Sequence, residues 1–302
     1  MIRTCLALLA GAAFLSSLSG ADYIEHHDTI YNSLTVERVG DVVELRARSR
    51  RGEALESAVD LTDPLKLVVP YTRSLYGALF LHPEPKRVLM VGLGGAGFNR
   101  LFASAFPEAV LHTVELDPKV VELCREKMAF IPTDRTPVTT MDGRMFIKRN
   151  RETWDWIILD AFRGGYVPPH LKTQEFYQEC ARRLSERGVF VSNLHATSEL
   201  FRSDLRTIQS VFPQVVLFAT KARGNVIACA VKYTSPRITD PATWPAVAVL
   251  QKPVYAGRLD LEEIRNEVSP LPPGLRSAEL LTDDFAPVEF LDAMKSGNTE
   301  EK

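Results

Sequence analysis

Cysteine is rare in this sequence, and its placement argues against a disulfide framework and against a metal centre. The chain has 4 cysteines in 302 residues, and no two of them have the close spacing of a metal site. Cys124 and Cys180 fall on apolar faces of predicted helices, and Cys229 falls in an apolar predicted strand. Because cysteine packs as a small hydrophobic residue in such places, we predict that these thiols are buried and that no metal is bound.

The chain also lacks a strong excess of charge of either sign. It has 36 basic and 38 acidic residues, which give a net charge of −2. Proteins that bind nucleic acid carry a basic excess or a basic stripe, so we expect no nucleic acid among the partners. The composition, 45% hydrophobic and 25% charged, is that of a globular protein, and the length allows one full core with a small extra domain.

The apolar run from Cys5 to Leu18 is shorter than the ~20 residues of a comfortable membrane span. It follows Arg3 and precedes three small residues that end at Ala21, which is the pattern of a secretory signal peptide. We therefore predict that residues 1–21 direct export to the periplasm or tether the chain to a membrane. If this segment is not a functional signal, the protein is cytoplasmic.

Residues 22–82 are predicted to form a small N-terminal β domain. Apolar and polar residues alternate in two segments around Gly40-Asp41, Ile30–Arg38 and Val42–Arg48, which indicates a β-hairpin. A third strand is expected over Ala54–Leu61. From Asp63-Pro64 the pattern favours a helix that runs through Leu81.

Residues 83–234 alternate between apolar strands and amphipathic helices. Seven strands are predicted: Arg87–Val91, Val110–Glu115, Val138–Met141, Trp154–Asp160, Gly188–Leu194, Val215–Ala219 and Val226–Tyr233. This alternation predicts an α/β fold with a doubly wound, mostly parallel seven-stranded sheet of the Rossmann-like, class I methyltransferase type. The turn Lys221–Gly224 predicts an antiparallel hairpin at the sheet edge. Residues 235–302 are a C-terminal extension with a helix near Leu259–Glu267.

A glycine-rich turn joins the first of these strands to its helix. Gly92, Gly94 and Gly97 allow a tight turn and a close approach of the backbone to a ligand. The pattern alone is weak, because a tight turn without a ligand has the same glycines.

Acidic residues stand at the carboxyl ends of the three strands that follow. Glu115 ends the second strand, Asp142 follows the third, and Asp160 ends the fourth. Ligands of open α/β sheets bind at this edge, so we predict that Glu115 accepts the two hydroxyl groups of a ribose. Asp142 is expected at an adenine amino group and Asp160 at the reacting centre. Tyr166 and His170, in the loop after Asp160, line the acceptor site or are ordinary loop residues.

Several of these segments resemble spermidine synthases, the polyamine aminopropyltransferases. The resemblance rests on Val88–Gly97, Glu115-Leu-Asp117, Asp142-Gly143-Arg144, Asp155–Asp160, the stretch from Leu159 to Phe176, and Leu281–Glu289. It implies a transferase of polyamine biosynthesis that moves an aminopropyl group from decarboxylated S-adenosylmethionine to a small amine. Members of this family are commonly dimers, so the resemblance also implies a homodimer.

Carried over residue by residue, the resemblance assigns Gly92, Gly94, Gly97 and Gly143 to donor binding, together with Glu115 and Asp142. Asp160 would be the catalytic residue that orients and deprotonates the acceptor amine, since a protonated amine is no nucleophile.

Two positions depart from the family pattern. Gly95 stands where the family has an aspartate for the amine of the donor, and Phe162-Arg163-Gly164 lacks a second aspartate. Methyl transfer from S-adenosylmethionine is therefore a close alternative. A nucleoside- or polyamine-binding protein without turnover, and a nicotinamide dehydrogenase, are further alternatives.

Overall fold

The computed structural model describes residues 22–49, 52–162, 166–220 and 224–285, so the predicted signal segment lies outside it. The N-terminal part forms an antiparallel sheet with four strands in chain order: β1 (Tyr23–Asp28), β2 (Ser33–Val39), β3 (Val42–Ser49) and β4 (Gly52–Asp60). The predicted hairpin and third strand are confirmed, and β1 was not predicted. The buried face of this sheet packs against the glycine-rich turn and the helix after Pro118.

The larger sheet confirms the predicted α/β class and has one strand more than the seven expected. Its strands are β5 (Arg87–Val91), β6 (Val110–Glu115), β7 (Val138–Thr140), β8 (Trp154–Leu159), β9 (Leu184–His195), β10 (Gln214–Ala219), β11 (Asn225–Val231) and β12 (Val268–Ser269). They are ordered β12-β10-β11-β9-β8-β5-β6-β7, and the run from β9 to β7 is parallel. The predicted hairpin β10–β11 is present, but β12 pairs with β10 and takes the outermost place.

Helices cover both faces of this sheet, as its apolar strands require. They are α1 (Tyr71–Ser74), α2 (Gly97–Ala105), α3 (Pro118–Lys127), α4 (Gly143–Arg149), α5 (Gln174–Arg183), α6 (Phe201–Val211), α7 (Val247–Leu250) and α8 (Leu261–Asn266). Cys124, Cys180 and Cys229 are buried and free, as predicted. None of the helices within the described ranges is long and apolar enough to cross a membrane.

The predicted helix from Asp63 to Leu81 is wrong over its first half. The chain becomes helical only in α1, which continues as a 3-10 helix over Leu75–Phe80. The cause is Pro70, which has no N–H to donate and disfavours helical geometry in the residue before it. The helical part packs into the core of the larger sheet.

The C-terminal extension is also part of that core. Trp244, Tyr255 and Ile264 are buried beside the strands of the larger sheet. Further along, Asp283 accepts two hydrogen bonds of 2.7 Å from Arg144, so two segments of the family resemblance meet in space. The predicted domain boundaries at residues 82 and 234 stay predictions.

The strand order places one edge of the sheet at a switch point. From β5 the chain winds outward through β6 and β7, and then returns to β8 on the other side of β5. The loops that follow are tied to the neighbouring strands, because Gly92 N donates to Val114 O (2.8 Å) and Asp160 N donates to Val91 O (2.9 Å). Open α/β sheets bind their ligands at such a point.

Candidate active site

A cavity opens at the carboxyl ends of β5, β6 and β8, and the small N-terminal sheet supplies its opposite wall. Its acidic lining residues are Glu56, Glu115, Asp142 and Asp160. Within the described part of the chain, no lysine, arginine or histidine lines it. The cavity is therefore suited to a ligand that carries positive charge.

The glycine-rich turn forms the floor of the cavity. Gly92, Gly94 and Gly143 line it, and Gly143 also begins α4 against Val91. Gly97 begins α2 and does not line the cavity. Gly92 has φ +101°, and a Cβ atom there would lie 2.1 Å from the carbonyl oxygen of Asp160. Only glycine allows the turn to pass so close to the loop that carries Asp160.

Gly95 is enclosed by side chains rather than open to the cavity. A Cβ atom at this position would lie 2.6 Å from Ser57 Oγ and 2.5 Å from Met128 Cε. Ser57 comes from β4 of the small sheet. An aspartate at residue 95 would thus require the side chains of Ser57 and Met128 to shift, so the packing here favours the glycine that departs from the family pattern.

Glu115 is held by the backbone around it. Its Oε2 accepts from Leu93 N (2.8 Å) and its Oε1 from Asp117 N (2.9 Å). Burial raises the pKa of Glu115, and these backbone bonds oppose the rise. Each carboxylate oxygen has a further lone pair for a hydroxyl donor, so the arrangement suits the ribose diol that the sequence predicts.

Asp142 has partners of its own at the cavity wall. Its Oδ1 accepts from Met145 N (2.9 Å) and caps α4, and its Oδ2 lies 2.7 Å from His170 Nε2. The hydrogen bond from His170 lowers the pKa of Asp142. An adenine amino group would share Oδ2 with the exposed His170, which acts here as a partner of Asp142 and is not a lining residue of the cavity.

Asp160 is oriented by a chain of polar side chains. Its Oδ1 accepts from Asn193 Nδ2 (2.9 Å), whose Oδ1 in turn accepts from Asn225 Nδ2 (3.0 Å). Its Oδ2 accepts from Tyr71 OH (3.2 Å). Burial raises the pKa of Asp160 to about 6, although the bonds from Asn193 and Tyr71 oppose the rise. A fixed carboxylate that titrates near neutral pH is well suited to act as a base.

Glu56, on β4, is a cavity residue that the sequence prediction missed. Its Oε1 is shielded from solvent and accepts no hydrogen bond within the described residues. Burial, and then the nearby carboxylates Asp160 and Glu115, raise the pKa of Glu56 to about 7. Tyr71 and Asn193 were missed as well. A polar residue inside the apolar strand β9 could have indicated Asn193, whereas nothing local to Tyr71 or Glu56 indicates a site.

The remaining predicted residues are less central. Tyr166 is half-buried and does not line the cavity, and Arg163 and Gly164 lie outside the described residues. No group of three or more potential ligands is placed to hold a metal ion in the part of the chain that the structure describes.

The raised pKa of Glu56 predicts that the free energy of unfolding falls as the pH becomes alkaline. Glu56 binds its proton more tightly in the folded chain, with a pKa of about 7 against an ordinary 4.5. The stability that this gives is complete below pH 4.5 and is lost as the pH rises through 7. Glutamine does not ionise, so Glu56→Gln removes this loss of stability. The free energy of unfolding of the variant, measured relative to the unaltered protein, should therefore be about 1–3 kcal/mol higher at pH 8 than at pH 5.

Urea unfolding of both proteins at the two pH values measures this difference. Glu53→Gln, at an exposed position of the same strand, is the matched control and should show no such change with pH. A Glu56→Gln effect that is the same at both pH values would contradict the prediction.

Comparison with known proteins agrees with the geometry. A family model described as the spermine/spermidine synthase domain matches residues 71–232. The polyamine aminopropyltransferase of Vibrio vulnificus is 30% identical over 291 residues, which cover 94% of this chain and 96% of that protein. The chain belongs to the spermine/spermidine synthase family. The predicted resemblance is confirmed, and the chain is a transferase by this membership.

The solved structures of similar fold include both a spermidine synthase and a methyltransferase-like protein. A probable spermidine synthase from Corynebacterium glutamicum has a TM-score of 0.65 at 21% identity and covers 88% of this chain and 98% of its own. Human methyltransferase-like protein 13 in complex with SAH has a TM-score of 0.52 at 24% identity, with 67% and 92% covered. At these identities the likeness concerns the fold alone, and it confirms the class I methyltransferase type.

Proposed function

We propose that this protein transfers an aminopropyl group from decarboxylated S-adenosylmethionine to a small amine, and that Asp160 is the base. The observation that carries the proposal is the placement of Asp160. It lies in an acidic cavity at the switch point of the sheet, where Tyr71 and Asn193 fix both of its oxygens. Membership of the spermine/spermidine synthase family supports the same reaction.

Asp160 first binds the acceptor as an ammonium ion and then takes one of its protons. The freed amine nitrogen attacks the aminopropyl carbon that is bonded to the sulfonium sulfur. As the new C–N bond forms, the C–S bond breaks and its electron pair neutralises the sulfur, so that methylthioadenosine leaves. The sulfonium needs in-line placement rather than further activation, and a pKa of about 6 lets Asp160 accept the proton near neutral pH.

The rest of the cavity would position the donor. Glu115 accepts the ribose hydroxyls, Asp142 faces the adenine, and the turn with Gly92 and Gly94 brings the backbone close to the ligand. These roles follow the predictions from sequence. Export through residues 1–21 and pairing into a homodimer also stay predictions.

The test is a comparison of the two donors. The purified protein is incubated with candidate amines and either decarboxylated S-adenosylmethionine or S-adenosylmethionine, and mass spectrometry identifies the products. We expect an amine enlarged by an aminopropyl group, together with methylthioadenosine, from the decarboxylated donor only. A product enlarged by a methyl group would favour methyl transfer, which the glycine at residue 95 leaves open. Tight binding of ligands without any product would favour a binding protein.

A further inference from the structure

Glu56 has no part in the reaction described above, although it faces the reacting centre. The other three acidic lining residues of the described chain are assigned to the ribose, the adenine and the acceptor amine. Glu56 lies close enough to Asp160 and Glu115 for both to act on its pKa, and it acts in turn on the pKa of Tyr71. It therefore stands among the groups that surround the donor and the acceptor.

The backbone of β4 is shaped so that Glu56 points into the cavity. In the pairing of β3 with β4, Ser57 lies opposite Leu45 and Leu55 lies opposite Arg46, so Glu56 is the extra residue of a β-bulge. A bulge interrupts the alternation of side chains and redirects one of them, and such bulges are enriched beside active sites. Here the redirected side chain becomes part of the cavity wall.

The hydrogen bonds distinguish Glu56 from its acidic neighbours. Glu115 and Asp160 each accept two hydrogen bonds from the protein, one at each oxygen. Glu56 Oε1 accepts none among the described residues and has no contact with solvent. A buried carboxylate oxygen without a donor is costly, so this atom is placed for a donor that the ligand brings.

The ligand group that fits is an ammonium. Three neighbouring carboxylates, without a cation among the described lining residues, favour a positively charged partner. The sulfonium of the donor has no N–H to offer, whereas its terminal amine has three. Glu56 also adjoins Ser57, which packs on Gly95 in the glycine-rich turn, and so it lies on the donor side of Asp160.

We propose that Glu56 binds the primary ammonium of the aminopropyl group of the donor and thereby selects the decarboxylated donor. This rests on the proposed function. S-adenosylmethionine carries an additional carboxylate next to the same amine, and a second carboxylate beside Glu56 is repelled. The small N-terminal sheet thus supplies an acid to the site, whereas at residue 95 the side chains of Ser57 and Met128 occupy the space beside the glycine.

Titration calorimetry of the full protein at pH 8 tests the assignment with three ligands. They are decarboxylated S-adenosylmethionine, S-adenosylmethionine and methylthioadenosine, which lacks the ammonium. We expect Glu56→Gln to weaken binding of the decarboxylated donor about 10- to 100-fold and to change that of methylthioadenosine by less than about 2-fold. Glu56→Asp keeps the charge and should keep the preference for the decarboxylated donor, and Glu53→Gln should match the unaltered protein.

Several results would overturn the assignment. One is an equal loss for methylthioadenosine, which would indicate a general effect on the cavity. Another is an unchanged affinity for the decarboxylated donor, with or without a higher KM for the acceptor amine. If the unaltered protein still makes the aminopropyl product, only the role of Glu56 fails. If the unaltered protein instead prefers S-adenosylmethionine and yields methylated product, the proposed function fails as well.

Discussion

Asp160→Asn should lower kcat for aminopropyl transfer by about 10²- to 10⁴-fold, which is the usual contribution of a general base. An amide has nearly the same shape as the carboxylate but neither takes a proton nor carries the charge that binds an ammonium ion. Its oxygen can still accept from Asn193, and its NH₂ group can donate to the hydroxyl oxygen of Tyr71, so its position is kept. The affinity for the donor should change by less than about 3-fold, because the proposed contact with the ribose is made by Glu115 and not by Asp160. Steady-state kinetics together with calorimetry separates the two effects.

The control for this variant is Asp134→Asn, which makes the same chemical change at an exposed position that does not line the cavity. It should leave kcat unchanged. If Asp160→Asn kept kcat within about 10-fold of the unaltered protein, Asp160 would not be the base. If the variant lost donor binding and kcat together, Asp160 would instead contribute to the donor pocket.

Glu115→Gln should weaken every adenosyl ligand by about 10²-fold or more, since a charged hydrogen bond contributes about 1.5–3 kcal/mol and the ribose supplies two. The amide has a second defect. Both oxygens of Glu115 accept backbone N–H groups, from Leu93 and Asp117. The NH₂ group of a glutamine must therefore face one of these donors.

The pattern across ligands distinguishes this variant from Glu56→Gln. Decarboxylated S-adenosylmethionine, S-adenosylmethionine and methylthioadenosine share the ribose, so calorimetry should show similar losses for all three with Glu115→Gln. Glu126→Gln, on the exposed face of α3, is the matched control and should bind all three normally. A loss confined to one ligand would contradict the assignment of Glu115 to the ribose.

The sequence by itself determined the larger sheet and the acids at its edge. Apolar strands that alternate with helices predict a parallel sheet, and the carboxyl ends of parallel strands meet at one edge. Glu115, Asp142 and Asp160 could therefore be placed together without coordinates, and the cavity does contain all three. The family resemblance, carried by the same segments, was confirmed by the comparisons.

Only the tertiary structure decided which residues complete the cavity. Tyr71 reaches Asp160 across 89 positions of the chain, and no local pattern records such a contact. The interruption of the predicted helix at Pro70 places Tyr71 at the start of α1. A sequence likewise shows no difference between a glutamate on a strand and one on a bulge, because the bulge is fixed by pairing with the neighbouring strand.

The position of the acids at the carboxyl ends of the strands could thus be predicted from the alternation of apolar strands and helices, which is a local property of the sequence. Glu56, and the close packing of Ser57 against Gly95, arise where the small sheet is laid over the large one. That contact depends on the packing of buried faces far apart in the chain, so it adds a carboxylate to the cavity that the sequence alone does not reveal.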